Sequence, residues 1–166
     1  MKKLLSVIIL FIITLPLFSC DVQNAKYINF TSKPSNHYYT DKLRNKILNN
    51  NPYELYVFDT NLYKEIPVEK SENVIIENFL NSLTEADYIN EPIKDKEPYR
   101  IKIVFKDEKY LMRVYNESLI SISPWDGTYK EDTVSMNNVP LRYNLIDFCN
   151  HIENKPLENK LNEPLI

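Results

Sequence analysis

The residues best placed to carry chemistry cluster between Pro124 and Asp132. Trp125 is the single tryptophan of the chain and Gly127 its single glycine. Glycine accepts positive φ, so Asp126-Gly127 predicts a sharp reversal between two strands. Trp125 beside it has two uses. It plugs the end of the core while Asp126 steadies the turn, or it stands at the sheet end as a stacking platform for a sugar or peptide. The plug is the expectation, and Trp125 with Asp126 is the candidate binding pair under the other reading. Asp126, Glu131 and Asp132 could crowd one loop, and hard cations such as Ca²⁺ favour oxygen clusters. Their spacing lacks the alternating acids and terminal bidentate Glu of a calcium loop, so a solvated acidic loop is expected and no metal site. With 23 Asp and Glu in the chain, closeness in sequence does not make two carboxylates an acid–base pair.

The other reactive side chains are few. His37 and His151 are the only imidazoles. His37 falls in a predicted tether, and His151 lies two residues from Cys149, on a different face of one helix. Neither a zinc site nor a Cys–His dyad is expected. Cys149 sits in an apolar helical stripe and reads as a buried thiol. A single glycine leaves no phosphate-cradling loop, and no G-x-S-x-G is present. No catalytic residue and no cofactor is expected.

The N-terminus reads as an address. Lys2 and Lys3 precede an apolar run from Leu4 to Phe18. As a helix that run spans roughly 22 Å, short of a hydrocarbon core of roughly 30 Å. Leu17-Phe18-Ser19-Cys20 resembles the bacterial lipobox. The resemblance implies cleavage after Ser19, diacylglyceryl attachment to Cys20 and a membrane-anchored chain on the extracytoplasmic face. An ordinary secretory signal cleaved elsewhere is the alternative. Losing residues 1–19 removes two Lys and no acid, so the formal charge moves from −3 to −5. A mildly acidic chain is a poor partner for nucleic acid, and anchoring must then come from acyl chains.

These groups need a scaffold. Residues 1–19 read as signal peptide, 20–39 as tether, 40–153 as one domain and 154–166 as a loose tail. Asp41–Asn49 predicts a short helix with Thr40 as N-cap. Glu54–Phe58 is β-prone, and Leu62–Val68 returns as an edge strand because it contains Pro67. Ser71 predicts the start of a helix reaching Leu83, with Ile76, Phe79, Leu80 and Leu83 on one side. Glu85–Pro98 reads as loop. Tyr99, Ile101, Ile103 and Phe105 alternate with Arg100, Lys102 and Val104. A two-residue Asp107-Glu108 turn would set Phe105 opposite Tyr110, Ile103 opposite Met112 and Ile101 opposite Val114. A longer loop is the alternative. Leu119–Ser123 and Glu131–Met136 predict further strands. Val139-Pro140 opens a last helix with Leu141, Leu145, Phe148 and Ile152 at helical spacing. The order predicts an α+β two-layer sandwich, an antiparallel β-meander of about four to six strands packed against two amphipathic helices.

The stretch from Glu54 to Ile152, with YELYVFDTNLYKEIP, IIENFLNSL, ISISPWDGTYKED and the lipobox, resembles uncharacterised small lipoproteins of clostridium-like low-GC Gram-positive bacteria. The resemblance implies a single-membrane envelope and no particular activity. The functional expectation is a lipid-anchored, non-catalytic module binding a protein, peptide or glycan of the cell envelope. The alternative is an envelope hydrolase using acids near Asp126 and Glu131.

Overall fold

Period-two alternation in the central strands sets the architecture. In β4 (Tyr99–Phe105) every odd residue is buried and every even one half-exposed, the pattern of a sheet with one face against a core. The computed structural model describes residues 32–90, 93 and 95–155. The lipobox, Cys20 and most of the predicted tether and tail lie outside them. The elements in order are α1 (Tyr38–Leu48), β1 (Tyr53–Asp59), β2 (Lys64–Pro67), α2 (Asn73–Ser82), β3 (Tyr88–Ile89), β4, β5 (Lys109–Asn116), β6 (Leu119–Pro124), β7 (Asp132–Ser135) and α3 (Leu145–Asn154). They belong to one unit beginning at Lys33.

Among the described residues the strands form one seven-stranded sheet of order β2-β1-β4-β5-β6-β7-β3. All neighbours pair antiparallel. The α+β sandwich is as expected, with one strand more than the expected range. The seventh is β3, two residues long, inside the stretch that reads as loop. It pairs with β7 at the sheet edge, a length too short to leave a periodic signal. A capping box at Thr84 and Asp87 leads into it. The buried Asp87 accepts Thr84 N–H and Oγ1–H at 2.8 Å each, and its other oxygen accepts Asn138 Nδ2–H at 2.9 Å.

The β4–β5 register differs from the two-residue-turn expectation. Ile103 faces Tyr110, Ile101 faces Met112 and Tyr99 faces Val114. Phe105 N–H donates to Glu108 O at 2.9 Å, so the reversal falls one residue earlier, at Lys106-Asp107. A type I′ turn needs positive φ at both central residues, and the described non-glycine residues with positive φ are Asn50 and Tyr63. The slip is two residues, so the same side chains still point inward.

Among the described residues the inner face is covered by three helices, not two. Leu43 of α1, Ile76, Phe79 and Leu80 of α2, and Leu145, Phe148, Cys149 and Ile152 of α3 join the strand residues in one core. Each such side chain contributes about 1.5–3 kcal/mol by leaving water. The last helix starts later than Val139-Pro140 predicts. A single 3-10 turn at Leu141–Tyr143 precedes it, and Leu141 is exposed. Asn144 caps α3 by accepting Ile146 N–H at 3.0 Å. Likewise Ser71 is not a cap: it lies in a 3-10 turn, Lys70–Glu72, ahead of α2.

The first helix starts three residues before Asp41, so Tyr39 and Thr40 are buried within it. Its N-cap residue His37 makes no side-chain capping bond. The cap comes from across the fold. Asp132 Oδ2 accepts Thr40 N–H at 2.6 Å and Thr40 Oγ1–H at 2.8 Å, and Lys33 Nζ lies 2.5 Å from its other oxygen. A carboxylate at a helix N-terminus satisfies free N–H groups and meets the positive end of the dipole.

Candidate functional site on the outer face of the sheet

The even residues Ile120, Ile122 and Pro124 of β6 are inward, so Ser121, Ser123 and then Trp125 have outward parity. Trp125 N–H donates to Lys109 O at 2.8 Å, which extends the β5–β6 pairing by one residue. Trp125 is 67% exposed. The plug expectation is therefore corrected: Trp125 is not in the core. That end of the core is filled by Tyr110, fully buried, with Phe105 edge-on at 6.2 Å between ring centroids. The alternation of β6 already carried this signal, had it been extended through Pro124.

Trp125 borders a hollow of about 80 Å³ lined also by Lys102, Val104, Lys109, Tyr110 and Leu111. Val104, Leu111 and the indole supply apolar surface, and the two lysines supply positive charge. The Lys102 ammonium pairs with Glu65 and lies 5.9 Å from the Tyr56 ring centroid.

The Asp126-Gly127 reversal takes another form: a turn runs from Pro124 to Gly127, whose N–H donates to Pro124 O at 3.4 Å. Gly127 does not have positive φ, and residues 125–131 form a longer connection. What favours glycine there is close approach. A Cβ at Gly127 would lie 3.0 Å from Tyr39 Oη. The same hydroxyl accepts Tyr129 N–H at 2.7 Å, so α1 pins the connection that presents Trp125.

The three acids of the expected loop separate. Asp126 is exposed on the connection, Asp132 is buried on the inner face, and Glu131 lies on the outer face. Glu131 Oε2 accepts Arg113 Nη1–H at 2.7 Å and Ser121 Oγ–H at 2.6 Å. Asp126 does not line the cleft that Glu131 lines; the other acids there are Asp95 and Glu97. Arg113 Nη1 also reaches Ser123 Oγ at 3.3 Å, and Tyr115 Oη lies 3.3 Å from Ser121 Oγ. Burial pushes the Tyr115 phenol above its ordinary value. Burial also pushes the neighbouring Glu97 carboxyl up, but its own backbone N–H and Arg100 outweigh this and hold it below the ordinary value. Arg113 and the two serines leave no motif in sequence. Only strand pairing brings them to Glu131.

The remaining candidates are dispersed. Cys149 is fully buried and its thiol is pushed up by desolvation, as expected of a packed core residue. His37 pairs with Asp41 at 2.5 Å, and His151, largely exposed, lies 3.3 Å from Glu72. Among the described residues no three His, Cys, Asp or Glu are grouped to hold a metal ion.

A family model described as "Domain of unknown function (DUF4883)" matches residues 33–149. A crystal structure of a candidate lipoprotein from Clostridium perfringens is similar to the chain, with 32% sequence identity and a TM-score of 0.69. The match covers 75% of this chain and 100% of that one. No curated protein matches.

Proposed function

The chain belongs to the DUF4883 family, and from that membership and the outer face of its sheet we propose a lipid-anchored binding module of the cell envelope. Cys20 carries the anchor and the domain faces away from the cytoplasm. The module is non-catalytic and takes a protein, peptide or glycan on the surface around Trp125. The candidate lipoprotein from Clostridium perfringens supports the anchoring half of this reading. The observation that carries the binding half is the exposed indole at the rim of a hollow with apolar and cationic walls. Removing an indole from water while it stacks on a sugar or side-chain face is favourable, and a side chain already outside the core adds little to folding.

The test has two arms. Cys20→Ser abolishes lipid labelling and leaves an uncleaved precursor; normal maturation of that variant would sink the anchor. Trp125→Ala changes stability by less than about 0.5 kcal/mol and loses crosslinks that the wild-type protein forms in its own cells. Native tryptophan fluorescence is readily quenched by acrylamide. Unchanged crosslinks in the variant would remove Trp125 from the binding surface.

A further inference from the structure

A second feature of the outer face is separate from the Trp125 hollow. A cleft of about 340 Å³ opens beside β5, β6 and β7. Arg113, Tyr115, Glu131 and Thr133 line it from the sheet side, and Asp95 and Glu97 from the connection between β3 and β4. The strand residues here are polar yet withdrawn from water. Ser121 is 0% and Thr133 3% exposed, and the Arg113 and Glu131 side chains are 29% and 27% exposed. An outward face that is merely covered is cheapest when aliphatic, and one that merely meets water stays exposed. This one instead holds an opposite-charge pair in a fixed hydrogen-bond frame, Arg113 to Glu131 and Ser123, and Ser121 to Glu131.

Among the described residues, that frame engages one guanidinium nitrogen and one carboxylate oxygen. A guanidinium has five N–H donors and a carboxylate two oxygens, so both groups retain capacity for a ligand. The pair also discriminates. A simple anion drawn to Arg113 meets Glu131, Asp95 and Glu97. A simple cation drawn to Glu131 meets Arg113 and Lys130. A molecule with an ammonium and a carboxylate a few ångströms apart satisfies both signs at once, and charge-assisted hydrogen bonds of this kind are the strong ones. The volume lies at the lower end of small-molecule sites, which run from about 300 to 1,000 Å³. We propose that this cleft binds a small zwitterion of the amino-acid type, its carboxylate on Arg113 and its ammonium on Glu131. The site uses neither Trp125 nor the anchor and stands or falls apart from them.

The experiment is calorimetric titration of the full chain, held in detergent, with each of the twenty common free amino acids. Each is compared with its N-acetyl and carboxamide forms. At least one free amino acid binds with a Kd tighter than about 1 mM, and blocking either end weakens it at least about tenfold. Arg113→Gln and Glu131→Gln each weaken it similarly, while Trp125→Ala leaves it unchanged. Blocking the ligand's own charges keeps the test independent of whether the cleft variants fold. Blocked forms binding as well as free ones, or no free amino acid binding up to about 10 mM, would overturn the proposal.

Discussion

Ile103 and Lys102 are neighbours on one strand and meet opposite worlds. Ile103 is 0% exposed beneath the helices, while Lys102 lies on the outer face with Glu65 and Tyr56. The inner face is almost wholly apolar, and its side chains are accounted for by packing. The outer face holds Trp125 in the open and a row of serine, threonine, arginine and glutamate that packing alone does not require. The sheet thus divides its labour by parity: odd residues of β4 hold the fold, and odd residues of β6 face outward where a ligand is free to approach.

Three substitutions can break this division or sharpen it. Ile103→Asp places a charge in the core without a partner and costs about 3 kcal/mol or more, read from chemical denaturation. Asp132→Asn tests a buried acid of the inner face. The variant keeps an acceptor for Thr40 but loses the charge that faces Lys33 and the N-terminus of α1. A loss of about 2 kcal/mol is expected, with amide exchange speeding first in α1; an unchanged denaturation midpoint would show that the cap across the fold does not hold that helix. Lys102→Asp loses the exposed pair with Glu65 and costs only about 0.5 kcal/mol. Equal midpoints for Ile103→Asp and Lys102→Asp would refute the assignment of faces.

The parts of the fold that could be read from residues alone are those with local causes. Alternation in Tyr99–Phe105 marked the inward set of β4, and it survived a two-residue error in register because the side-chain period is two. Pro67 marked β2 as an edge, where it lies. The spacing of Ile76, Phe79 and Leu80, and of Leu145, Phe148 and Ile152, marked two covering faces. What escaped had non-local causes. Strand β3 exists only because β7 offers it an edge. Helix α1 begins at Tyr38 because Asp132, more than ninety residues away, supplies its cap. Gly127 sits where a Cβ would crowd the Tyr39 hydroxyl, 3.0 Å away.

The candidate sites divide along the same line. By sequence alone Trp125 was singular, and parity along β6 was enough to send it outward. The pairing of Arg113 with Glu131 was not available there. Eighteen residues separate them, and nothing in their spacing sets them on adjoining outward positions. Only the pairing of β5 with β6 and of β6 with β7 brings a guanidinium and a carboxylate to 2.7 Å over two serine hydroxyls. Local backbone preference decides which side of a strand a residue occupies, whereas the neighbour it meets there is decided by which strands close on one another, and that is a property of the whole chain.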